Sequence, residues 1–97
     1  MSTMDPVTTL RRSLSDKGVE LTRLADGSGV LLDLSGHQVL TLNETAAFIS
    51  GLLLDSETDL EGISAKLADA YEVDLKTAKE DVTELLRILT ERLAQST

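Results

Sequence analysis

The 97-residue chain contains no cysteine, no tryptophan, one proline, one histidine and only two aromatic residues, Phe48 and Tyr71. Without cysteine there is no disulfide, no thiolate metal site and no cysteine nucleophile, a composition that fits a reducing compartment; the cytoplasm is expected. With so few rings, the core has to be built from Leu, Val, Ile and Ala. His37 falls in a predicted turn and has no partner at a spacing suited to a metal or to a Ser-His-Asp arrangement. No Gly-rich loop precedes a helix in the form that cradles phosphate. Carboxylate pairs such as Asp55 with Glu57, or Glu80 with Asp81, read as solvated surface charge rather than as an acid–base pair. The expectation is a protein that is not an enzyme and takes no cofactor and no metal. The longest apolar run, Leu52-Leu53-Leu54, is far short of the roughly 20 residues that span a bilayer. Residues 1 to 18 lack the apolar centre of a secretory signal. No membrane partner is expected.

Basic residues are also scarce, nine Lys and Arg against seventeen Asp and Glu, for a formal net charge of -8. The imbalance is concentrated in residues 44 to 97, with twelve acidic and five basic groups. Nucleic-acid binding draws much of its affinity from neutralising phosphates with Lys and Arg, so this balance argues against a nucleic-acid partner. A length of 97 residues, 41% of them hydrophobic, suits one domain with one modest core.

Residues 1 to 18 mix Ser, Thr, Asp and Pro6 with a few apolar positions, and read as a flexible N-terminal arm with at most a helical turn around Leu10 to Leu14. The domain is expected over residues 19 to 95. Val19 to Leu24 alternates in the manner of a strand and ends at the turn-rich Ala25-Asp26-Gly27-Ser28-Gly29. Val30 to Leu34 and Gln38 to Leu42 follow at hairpin spacing around Ser35-Gly36-His37. The simplest arrangement is a three-stranded antiparallel meander with its third strand at an edge. Asn43 can cap a helix running to Asp55, with Gly51 inside it as a mark of close packing. Thr58-Asp59-Leu60-Glu61 has the capping-box pattern and opens a second helix ending near Glu72. Asp74 can cap a third, whose Leu75, Ala78, Val82, Leu85, Leu86, Leu89 and Leu93 share one stripe. A three-stranded antiparallel sheet followed by three helices makes an α+β domain of winged helix-turn-helix type. A helical bundle with an appended hairpin, and a hairpin that pairs only within a dimer, are the other arrangements these elements allow.

Val30-Leu31-Leu32-Asp33-Leu34, then Leu42-Asn43-Glu44-Thr45-Ala46-Ala47, then Ile63, Leu67, Tyr71-Glu72-Val73-Asp74, Ala78 and Asp81-Val82 occur in an order that resembles the PqqD-like proteins. These are the precursor-peptide recognition elements of ribosomally made, post-translationally modified peptide pathways. The resemblance implies a non-enzymatic peptide chaperone of winged-helix-like fold. In such proteins the leader segment of a precursor peptide adds as an antiparallel strand to the edge strand, beside the last helix, and is delivered to a maturation enzyme. The implied partners are a precursor leader peptide and an enzyme such as a radical SAM enzyme or a lasso-peptide protease or cyclase.

Carried onto this chain, the docking edge is His37, Gln38, Val39, Leu40, Thr41 and Leu42. An unpaired strand edge can give affinity through main-chain pairing and selectivity through alternate side chains. On the last helix, Ile88 lies off the apolar stripe beside Thr77, Asp81, Leu85 and Arg92. The expected contact residues there are Thr77, Ala78, Asp81, Leu85 and Ile88. The opposite flank, Lys76, Lys79, Thr83 and Arg87, would suit an acidic peptide instead. The same edge is compatible with pairing to a second copy of the chain, that is, a homodimer. The competing class is a winged-helix DNA-binding regulator, against which residues 75 to 95 weigh with four basic and four acidic groups. An acidic carrier protein, suggested by Asp55-Ser56 after a leucine run, is opposed by Glu57 and by the strands that come first.

Overall fold

A computed structural model describes residues 6–34, 37–55 and 59–94. The elements run α1 (Pro6–Lys17), β1 (Val19–Arg23), β2 (Gly29–Asp33), β3 (Gln38–Leu42), α2 (Glu44–Asp55), α3 (Leu60–Tyr71) and α4 (Leu75–Leu89). The last helix widens into a π-helical turn over Thr90–Ala94. The three strands form one antiparallel sheet in the order β1-β2-β3, followed by helices, which is the α+β, winged helix-turn-helix-like arrangement read from the sequence.

Alternation sorts the sheet into two faces. Leu31 stands opposite Leu21 on one side and Leu40 on the other, and these face the helices; Leu32, opposite Glu20 and Val39, is on the outer face. Gly29 lies on the inner face, where a Cβ would stand 3.0 Å from the Ala47 Cβ and 3.1 Å from the Thr22 carbonyl oxygen. Small residues on both partners let β2 approach α2 closely.

The starts of α2, α3 and α4 are each written in a side chain. The amide of Ala46 donates to Asn43 Oδ1 at 2.8 Å, and that of Thr77 to Asp74 Oδ1 at 2.9 Å. These bonds satisfy N–H groups that no helical carbonyl can reach. For α3 the cap is Asp59, which accepts from the amide of Gly62 at 2.9 Å; Thr58, where the capping-box pattern began, lies outside the described residues, as do Ser35 and Gly36 of the hairpin turn, Ser56, Glu57 and Gln95. Helix α3 ends where Glu72 takes a left-handed conformation, φ 55°. The amide of Val73 then donates to the Ala68 carbonyl, and the chain turns within two residues into the α4 cap. The two aromatic residues meet edge to face across α2 and α3, Phe48 and Tyr71 with centroids 5.5 Å apart.

The N-terminal segment differs from expectation. From Pro6 to Lys17 it is a helix, not a flexible arm, and Val7, Leu10 and Leu14 are buried in the same core as Leu31, Leu53 and Leu89. Positions i, i+3 and i+7 share one helix face, so three apolar residues suffice to dock a segment that is otherwise polar. Arg11 Nε also donates to the Leu53 carbonyl at 2.5 Å, near the end of α2 where helical carbonyls lack partners. Pro6 occupies the first helical position, which has no need of an N–H.

Two stability measurements check these assignments. Leu14→Ala is expected to lower the unfolding free energy in urea by about 2–5 kcal/mol, the range for deleting a buried leucine side chain; a dispensable arm would give a negligible change. Glu72→Gly removes a Cβ from a left-handed position and is expected to raise stability by about 1 kcal/mol.

Candidate functional site

Because β2 is central, β3 has a partner on one side only. No backbone hydrogen bond joins its other side to another element among the described residues. The strand is nevertheless held firmly. Leu42 is buried and Leu40 half-buried against the core, while Gln38 and Thr41 are exposed and Val39 is 66% exposed. Leu40 and Leu42 therefore anchor the strand from the helix side, and Val39 and Thr41 lie on the outer face of the sheet. His37, exposed and at φ 57°, belongs to the hairpin turn that leads into it.

Immediately after β3 the chain enters a groove of about 290 Å³ between the first turns of α2 and the middle of α4. Asn43, Thr45, Ala46 and Ile49 form one wall, and Asp81, Glu84, Leu85 and Ile88 the other. The α4 wall follows helical spacing: 81, 84 and 85, and 88 lie one above the other on one face. Next to that face, Val82, Leu86 and Leu89 point into the core. One helix thus serves two surfaces.

Of the residues expected on α4, the structure brings Asp81, Leu85 and Ile88 into the groove. Ala78 is placed differently. It is wholly buried, so its methyl group packs in the core beneath the wall and presents no surface to a ligand. Thr77 is exposed in the first turn, where its amide serves the Asp74 cap, and it does not line the groove. Asn43, Thr45, Ala46, Ile49 and Glu84 were not anticipated as site residues. Glu84 follows from the spacing of Asp81 and Ile88; the α2 wall does not, because nothing local to α2 tells which helix will stand opposite.

The other flank of α4 leads elsewhere. Thr83 and Arg87 border a separate depression with Leu60 and Leu86, and Lys79 is paired with Glu61 of α3. A larger cleft of about 700 Å³ lies between α1, β1 and the end of α2, with Arg11, Glu20 and Arg23 on its walls. What favours the smaller groove is its position where the open strand ends. Among the described residues no three His, Asp or Glu side chains are arranged to hold a metal ion, and no helix is long and apolar enough to cross a membrane.

The Asp74 carboxyl at the foot of the α4 wall is held below the ordinary value of 3.8, first by the Thr77 side chain and then by the Thr77 amide. A depressed folded-state pKa stabilises the fold fully above the unfolded value and loses that contribution as pH falls through the folded one. Asp74→Asn keeps a capping oxygen that does not titrate. In melts followed by circular dichroism, the variant is expected to show a flatter loss of stability than the parent as the pH is taken below 3.8.

Comparisons with known proteins agree on one family. Residues 28–93 match the model for "Coenzyme PQQ synthesis protein D (PqqD)". Two solved structures are similar. TbiB1 in complex with the TbiA(beta) leader peptide is 27% identical with a TM-score of 0.72, over 84% of this chain and 91% of that one. Lasso peptide synthetase B1 complexed with the leader peptide is 32% identical with a TM-score of 0.63, over 75% of this chain and 84% of that one. No protein in the curated set matches.

Proposed function

The chain belongs to the PqqD family, and on that basis we propose that it binds the leader segment of a ribosomally synthesised precursor peptide and presents it to a maturation enzyme. The observation that carries this reading is the pairing of an open, anchored strand edge, Gln38–Leu42, with a groove that begins at the next residue. A leader in extended conformation exchanges main-chain hydrogen bonds with β3 and sets alternate side chains toward Leu85 and Ile88. Two similar proteins hold leader peptides, which supports the same role here. Likeness to a lasso peptide synthetase favours a lasso-peptide protease or cyclase as the enzyme, whereas the family description favours a quinone-cofactor pathway and its radical SAM enzyme.

The protein acts by binding, not by catalysis: its only histidine is exposed in a turn, and the groove carboxylates Asp81 and Glu84 are exposed to solvent, not enclosed in a cleft as a paired acid and base. It works in the cytoplasm, where precursor peptides are made. The recognition unit comprises residues 19–95, with α1 bracing it. Without a leader, the same edge is open to a second copy of the chain. The DNA-binding alternative has no support: the groove face of α4 carries two carboxylates and no cation.

The test uses the synthetic leader of the precursor encoded beside this gene. Fluorescence anisotropy is expected to show saturable binding, weakened roughly tenfold or more by Ile88→Lys, which places a charge against a buried apolar contact. Amides of residues 38–42 are expected to gain hydrogen-exchange protection in the complex. Binding with no added protection there would rule out strand addition.

A further inference from the structure

The groove has a chemical character of its own. Its floor and upper wall are aliphatic, Ile49, Leu85 and Ile88, but its rim carries Asp81 and Glu84 and no basic side chain. The two carboxylates differ in state. Glu84 is occupied: Arg87, on the far side, holds it at 2.5 Å, and that contact keeps its carboxyl below the ordinary range. Asp81 has no hydrogen bond or ion pair among the described residues. Its helical neighbours at i−4, i−3, i+3 and i+4 are Thr77, Ala78, Glu84 and Leu85, none of them a cation. The nearest lysine in sequence, Lys79, is turned to α3 and bonded to Glu61.

An unpaired carboxylate beside an apolar trough, on a chain of net charge -8, selects a ligand with the complementary arrangement. Resting on the leader-binding reading above, we propose that Asp81 is a specificity determinant: the leader this chain accepts places a Lys or Arg side chain on Asp81, next to an aliphatic residue seated between Ile49, Leu85 and Ile88. Arg87 cannot serve as a mobile counter-ion for both acids, because Glu84 and Glu91 already hold its guanidinium, at 2.5 and 2.9 Å. The groove therefore disfavours leaders with an acidic residue at this point, and Asp81 contributes selection of sequence while β3 contributes sequence-independent pairing.

The full chain is panned against a phage-displayed random peptide library, and enriched peptides are synthesised and measured by fluorescence anisotropy at low salt. The expected result is a Lys or Arg adjacent to Leu, Ile or Val in the enriched set, with binding weakened roughly fivefold by Asp81→Asn, as for a partly exposed ion pair. Replacing that peptide Lys by Glu weakens binding to the parent protein, and Asp81→Lys restores it. Peptides that lose affinity with Ile88→Lys but carry no basic residue, and bind Asp81→Asn within about twofold of the parent, overturn the role of Asp81 and leave leader binding standing. Failure of any peptide to bind, or indifference to both Ile88→Lys and Asp81→Asn, overturns the groove as the binding site and the assignment of Asp81 with it.

Discussion

Everything the open edge and the adjoining groove offer depends on how β3 is fastened. A strand at the edge of a small sheet tends to fray or to pair with whatever is near, and neither makes a dependable template. Here the same strand that leaves one backbone edge open puts Leu40 and Leu42 into the core, and Asn43 caps α2 directly after it. The helix thereby fixes the strand's end, and the strand fixes the start of the groove. Gly29 and Ala47 permit the close approach of β2 to α2 that makes this geometry possible.

Helix α4 meets the complementary demand. Its core stripe of Val82, Leu86 and Leu89 holds it against the rest of the protein, and the adjoining stripe of Asp81, Leu85 and Ile88 is left as a wall. Leu85 belongs to both, buried yet reaching the groove, so the wall is as rigid as the core behind it. Arg87 ties Glu84 and Glu91 together on the outer side, and the Lys79–Glu61 pair links the helix to α3. Exposed pairs of this kind add little stability; they engage Lys79 and Arg87, and Asp81 has no cation partner among the described residues. The buried face of α1, resting on α2, β1 and the final turn, closes the core at the end away from the groove.

Local signals were sufficient for most of the scaffold. The alternation of Val19 to Leu24 and the hairpin spacing around Ser35-Gly36-His37 locate the strands, and Gln38–Leu42 has the bounds expected. Asn43 and Asp74 announced their helices because capping is a bond between a side chain and an amide three residues away, wholly contained in the sequence. Helix α1 is not legible in the sequence for the opposite reason. Val7, Leu10 and Leu14 are too few to argue for an independent helix, and their burial depends on a surface supplied by residues far along the chain.

The site divides the same way. The sequence alone determined an acidic, cysteine-free α+β domain with an edge strand and a two-sided last helix, and the ordered run through Leu42–Ala47 and Asp81-Val82 pointed to its family. Periodicity, capping and charge balance act over a few residues, so they can be read in one dimension. Only the tertiary structure decided that Ala78 lies beneath the wall instead of on it, that Asn43, Thr45, Ala46 and Ile49 face α4, and that Asp81 stands at the groove with no ion pair among the described residues. Each of these depends on which surfaces meet across long stretches of chain, and that is settled by packing all the apolar stripes into one core at once.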